Sequence, residues 1–135
     1  MRKELDEALC KKYPEIFRDR HGDIRTTAMC WGFECDDGWY NIIDSACAQI
    51  MNRAFNNRLN NVKFPEVIAT QVKEKYGTLR FYYNGGDDYV DGVVSMAESM
   101  SERTCEICGA PGELREGGWL RTLCDEHAKE QGYEE

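Results

Sequence analysis

Cys105-Glu106-Ile107-Cys108-Gly109 and, with fifteen residues between Cys108 and its next cysteine, Cys124-Asp125-Glu126-His127 decide how the last quarter of this chain folds. Each pair of sulfur or imidazole side chains is separated by two residues, which is the spacing of a closed Cys₃His zinc site. Gly109 supplies the backbone freedom for a tight turn behind the second thiol. Three thiols and one imidazole complete a tetrahedron and leave no open coordination position. The pattern therefore predicts a structural zinc bound by Cys105, Cys108, Cys124 and His127.

Outward from these ligands, residues 102–135 read as a small module. A knuckle at 105–109 leads through Pro111-Gly112 into two short strands that turn at Glu116-Gly117-Gly118. Trp119 and Leu123 are expected to form a miniature core. Thr122-x-x-Asp125 has the form of a capping box, so a short helix is expected to open where Cys124 and His127 bind and to end at Gly132. This order of knuckle, hairpin and helix resembles the treble-clef family of zinc fingers. So short a module with one tryptophan needs its metal to fold, and binding is expected to supply on the order of 10 kcal/mol.

Charge narrows what such a module can touch. The chain has 135 residues and a net charge of −8. Residues 102–135 hold nine acids against four bases, a balance of −5. Zinc held by three thiolates adds about one more negative charge. Fingers that bind nucleic acid place Lys and Arg where phosphates lie; this one does the opposite, which argues against direct DNA binding by the module.

Hydrophobic residues at 41% and charged residues at 31% suffice for a packed core and argue against disorder. No apolar run approaches the roughly 18 residues of a membrane span. Met1-Arg2-Lys3-Glu4-Leu5-Asp6-Glu7 lacks the apolar stretch of a signal peptide. The expectation is a cytoplasmic protein. Seven cysteines, an odd number, fit a reducing compartment. Beyond the zinc ligands, Cys10, Cys30, Cys35 and Cys47 read as small buried hydrophobes, with a second metal site at Cys30 and Cys35 as the alternative.

Residues 1–101 read as an α+β body of helices and one β-hairpin, so the expected fold class is α+β with a C-terminal treble-clef-like module. Leu5, Ala8 and Leu9 predict a helix near 2–12, ended by Tyr13-Pro14. A short strand is expected at 24–29. Trp39, Ile43, Cys47, Ile50 and Ala54 form the stripe of an amphipathic helix over 38–56, with Asp36 and Asp37 as caps and Asn56, Asn57, Asn60 and Asn61 marking its exit. Alternation around Tyr76-Gly77 predicts a hairpin over 66–84. A further helix is expected over 89–101, with Val93, Met96, Ala97 and Met100 inward.

Four stretches resemble a recurrent group of small proteins encoded by bacteriophages and prophages. They are Tyr13-Pro14-x-Ile16-Phe17, Cys30-Trp31-Gly32-Phe33-Glu34-Cys35-x-x-Gly38-Trp39-Tyr40, Gln71-Val72-Lys73-Glu74-Lys75-Tyr76-Gly77-Thr78-Leu79-Arg80-Phe81-Tyr82 and the zinc quartet. The resemblance implies a phage provenance, a bacterial host cytoplasm and a target in that host; it supplies no mechanism.

Little in the chain speaks for catalysis. His21 reads as a surface histidine, and a Cys–His nucleophile needs it to meet Cys30 or Cys35 in space. Asp36/Asp37 and Asp87/Asp88/Asp91 can gather magnesium for a metal-dependent enzyme, but both clusters precede helices where capping accounts for them. Gly85-Gly86 reads as a turn. Residues 53–80 are the one basic stretch, six bases against two acids. Lys73, Lys75, Arg80 and Tyr82 on one hairpin face can take single-stranded nucleic acid or a nucleotide, or can pair internally with Asp87, Asp88 and Asp91. Trp39 reads as core, and Trp31 as an exposed anchor for a partner. The leading expectation is a non-catalytic accessory protein that binds a host macromolecule, most simply a host protein, and inhibits or redirects it. Binding of nucleic acid or a nucleotide comes second, and a metal-dependent enzyme third.

Overall fold

The computed structural model describes residues 1–133. In chain order its elements are α1 (Lys3–Lys12), β1 (Phe33–Glu34), α2 (Tyr40–Leu59), β2 (Ile68–Lys75), β3 (Thr78–Asn84), α3 (Asp88–Ser101), β4 (Glu113–Arg115), β5 (Arg121–Leu123) and α4 (Asp125–Glu130). The fold is mixed α+β. No described helix is long and apolar enough to cross a membrane.

Alternation through β2 and β3 gives an antiparallel hairpin in which Val72 faces Phe81 and Lys73 faces Arg80. Strict alternation puts Ala69 and Val72 on opposite faces. A bulge between Ala69 and Gln71 instead turns both into the core, because one extra residue reverses the phase of the strand. The Ala69 N–H beside the bulge donates to the Ile16 carbonyl at 2.8 Å. β1 adds to β2 in parallel, with Phe33 beside Val72, so the order is β1-β2-β3. Parallel neighbours need a crossover, and α2 supplies it.

Helices α2 and α3 pack against one another, and α3 also packs on β3. The core joins Trp39, Ile43, Cys47 and Ile50 to Val90, Val94 and Ala97 and to Val72, Leu79 and Phe81. Phe17 closes one end with its ring edge-on to Phe33 at 4.9 Å. Each such aliphatic side chain contributes about 1.5–3 kcal/mol by leaving water. Arg20 ties the N-terminal segment down, donating to Asp6 at 3.0 Å and to the Cys30 carbonyl at 3.1 Å.

Several expectations need correction. No strand forms at 24–29. Asp23 folds that stretch into turns, its carboxylate accepting the Arg25 N–H at 2.8 Å, and the strand lies at Phe33–Glu34. The helix expected to end near residue 56 runs to Leu59. Its exit is at Asn60 and Asn61, the latter in the left-handed region at φ 54°. Asp36 stands at the N-cap position of a short 3-10 turn (Asp37–Trp39) that leads into α2, but neither aspartate makes a side-chain capping bond: Asp36 pairs with Arg121, and Asp37 accepts the Arg2 N–H at 2.8 Å. On α3 the inward stripe is Val90, Val94, Ala97 and Ser101, while Met96 and Met100 face outward. Ser101 belongs to that stripe because its hydroxyl accepts the buried Leu79 N–H at 2.9 Å.

Candidate metal centre

Residues 105–109 form the expected knuckle. Gly109 sits in the left-handed region at φ 81°, and its N–H donates to the Cys105 carbonyl at 2.9 Å. Strands β4 and β5 pair with Leu114 opposite Thr122. They deliver the chain to α4, whose first turn carries Cys124 and His127.

The cap of α4 is the thiol of Cys124, which accepts the His127 N–H at 3.4 Å. The capping box expected at Thr122 is absent. Thr122 instead donates its hydroxyl to the Gly77 carbonyl at 2.7 Å. Trp119 is 81% exposed and takes no part in the small core, which is built on Cys105, Leu123 and Ala128 with Ile107 and Tyr133 at its edge.

The donor atoms of Cys105, Cys108, Cys124 and His127 all lie within 4.8 Å of one another. His127 Nδ1 stands 3.6 Å from the Cys105 sulfur and 3.3 Å from that of Cys124; Cys108 and Cys124 are 3.9 Å apart through their sulfurs. The other ring nitrogen of His127 lies 3.7 Å from Glu130, a carboxylate placed to orient the ring. Burial alone raises the Cys105 thiol, but backbone N–H groups of Cys124, Cys108 and Ile107 outweigh it and bring the group down to about 7. Three sulfurs converging on one point beside an imidazole are the donor set of a metal site. Among the described residues no other group of three or more His, Cys, Asp or Glu donors converges in this way.

The cluster sits where the C-terminal segment meets the body. The Gly38 N–H donates to the Glu106 carbonyl at 2.7 Å, and the Trp39 indole N–H donates to the Thr104 carbonyl at 2.9 Å. Glu106 is buried between Cys105 and Cys108. Its carboxylate accepts the Asp36 N–H at 3.0 Å and faces Arg121 at 3.4 Å. A methyl group on Gly38 would lie 2.1 Å from the Cys105 carbonyl oxygen, so the turn before α2 packs directly on the knuckle.

The remaining cysteines behave as packing groups. Burial raises Cys35 to about 12 and Cys10 to about 11, and pushes Cys47 higher still. The Cys30 thiol donates to the Thr27 carbonyl at 3.3 Å. His21 is exposed and shares a hollow with Cys10 and Trp31, with neither Cys30 nor Cys35 in its lining.

Pairing register places Lys73, Lys75, Arg80 and Tyr82 on the outer face of the sheet, with Gln71 and Glu34 beside them. The internal pairing expected with the following aspartates is not formed: Asp87 pairs with Arg53 at 2.9 Å, and Asp91 accepts the Tyr83 hydroxyl. Trp31 is 61% exposed and lines the hollow beside α1, to which none of the four hairpin residues contributes. No family model, curated protein or solved structure matches the chain.

Proposed function

We propose that this chain is a non-catalytic, phage-type accessory protein in which a structural zinc fixes the C-terminal module, and that the whole acts by binding a host macromolecule. The observation that carries the reading is the closed Cys105, Cys108, Cys124 and His127 quartet at the seam between module and body. Zinc–sulfur bonds of about 2.3 Å give a tetrahedron with edges of about 3.8 Å. The separations of 3.3, 3.6 and 3.9 Å are of that size. Four protein ligands leave zinc no place for water or substrate, so its work is structural. The sequence of knuckle, β4–β5 hairpin and α4 supports a treble-clef-like finger. An acidic module supports a protein as the partner, in the cytoplasm of a bacterial host.

Metal analysis of protein purified without chelator is expected to give one zinc per chain. Stripping it is expected to lower the melting temperature sharply, and Cys124→Ser to halve the zinc content or worse. Full folding without metal would overturn the zinc reading. Affinity capture from host lysate tests the partner reading on the same zinc-loaded preparation; recovery of no host factor would sink it. A second reading, binding of single-stranded nucleic acid or a nucleotide, is favoured by one observation: the register sets Lys73 opposite Arg80, with Lys75 and Tyr82 on the same open face. Phosphates suit the cations, and bases stack on an exposed tyrosine.

A further inference from the structure

Cys108 and Cys124 stand apart from the other cysteines of the chain. All seven lie among the described residues, and Cys108 is the one that is exposed. Its sulfur lies 3.9 Å from that of Cys124, which is half-buried. Cys105 completes the three sulfurs but is fully buried. Its backbone is held on both sides, the N–H donating to the Ala110 carbonyl at 2.7 Å and the carbonyl accepting from Gly109. An oxidant arriving from solvent therefore meets Cys108 first, with Cys124 beside it.

We infer that Cys108 is a site of thiol oxidation and that Cys124 resolves it as a disulfide, so that peroxide ejects the metal from the quartet. This rests on the zinc reading proposed above, since sulfurs bound to zinc are thiolates, the form that attacks peroxide. The Cys108 thiolate attacks one oxygen of hydrogen peroxide; an S–O bond forms, the O–O bond breaks and hydroxide leaves. The Cys124 thiolate then attacks the Cys108 sulfur; the S–S bond forms, the S–O bond breaks and a second hydroxide leaves. The two sulfurs give up two electrons to the peroxide oxygens, and each hydroxide takes a proton to become water. A disulfide has no thiolate to offer a metal, so Cys105 and His127 alone remain to hold it.

The remaining cysteines are placed less well for this chemistry. Cys10 and Cys30 reach solvent in part, but each thiol donates its proton, Cys10 to Asp6 at 3.7 Å and Cys30 to the Thr27 carbonyl at 3.3 Å. A protonated thiol is a poor nucleophile. Cys35 and Cys47 are buried. Closing the Cys108–Cys124 pair to the disulfide length of about 2 Å draws on the exposed turn at Cys108. It also withdraws the Cys124 sulfur from the His127 N–H that it accepts at 3.4 Å, so the first turn of α4 is unpinned as the metal goes.

Hydrogen peroxide added to the zinc-loaded chain tests the pairing and the release together. A chromophoric chelator reads the zinc set free, and peptide mass mapping after alkylation reads the disulfide. One zinc is expected to leave for each disulfide formed, the bond to join Cys108 to Cys124, and Cys105 to be recovered as a free thiol. Dithiothreitol with added zinc is expected to restore the metal content. Cys10→Ala with Cys30→Ala, both outside the quartet, is expected to release zinc at the wild-type rate. A disulfide that includes Cys105, release with no disulfide, or slower release from the double variant would each overturn the assignment. Zinc retained under peroxide overturns it while leaving the metal reading intact. A chain that holds no zinc before peroxide is added overturns both.

Discussion

Asp87 carries two tasks with one carboxylate: it caps α3 by accepting the Val90 N–H at 3.1 Å, and it accepts from Arg53 at 2.9 Å. Burial alone raises this carboxyl, and those donors outweigh it, holding the group below its ordinary 3.8. Stability from such a depressed acid is present above the unfolded value and lost as pH falls through the folded one. Asp87→Asn keeps a capping oxygen but no charge. The variant should lose under about 1 kcal/mol near neutral pH, and its melting temperature should fall less steeply than wild type below about pH 4. An unchanged acid limb would remove the ion pair from the account. At this scale the sequence is most legible where chemistry fixes spacing, as in the four metal donors and in the Asp87 cap. It is least legible where a residue acts outside its usual part. Cys124 caps a helix through sulfur, and Trp119 lies exposed where a tryptophan was expected to seed a core.

Element by element, the helices and the hairpin were readable, while strand β1 at Phe33–Glu34 and the phase of α3 were not. Apolar periodicity found α1, α2, α3 and the β2–β3 hairpin, since burying one face is what makes each of them stable. It misjudged the rotation of α3, because Met96 and Met100 count as more apolar than Ser101 although only the serine hydroxyl can satisfy the Leu79 N–H. The Thr70 bulge was equally hidden, being a property of pairing and not of one strand. The outer face of the hairpin survived the bulge, since all four of its marked residues lie beyond it. If that face holds single-stranded nucleic acid, Lys73→Ala with Arg80→Ala should weaken binding roughly tenfold or more and flatten its dependence on salt by about two counterions. Tyr82→Ala should weaken it with the salt slope intact. Affinity indifferent to all three changes would leave the face as a solvated surface.

Across the whole molecule the decisive feature is the seam at Gly38, which in the sequence stands only as one member of the Gly38-Trp39-Tyr40 stretch. Backbone meets backbone there, so no side chain can yield to a newcomer. Gly38→Ala should cost about 3 kcal/mol and also loosen the metal, seen as faster zinc transfer to a chelator. Loss of stability with unchanged metal release would show that body and module are energetically separate. Two further bonds cross the same seam, from Trp39 to Thr104 and from Thr122 to Gly77. Their partners lie 65 and 45 residues apart in the chain. A growing polypeptide emerges from the ribosome N-terminus first, so Asp36, Gly38 and Trp39 wait for acceptors that are made 65 to 70 residues later. The body cannot settle over its central tryptophan until residues 104–106 arrive. The four donors of the quartet are brought together as that seam closes, and the nascent chain stays open there to chaperones and proteases until it does.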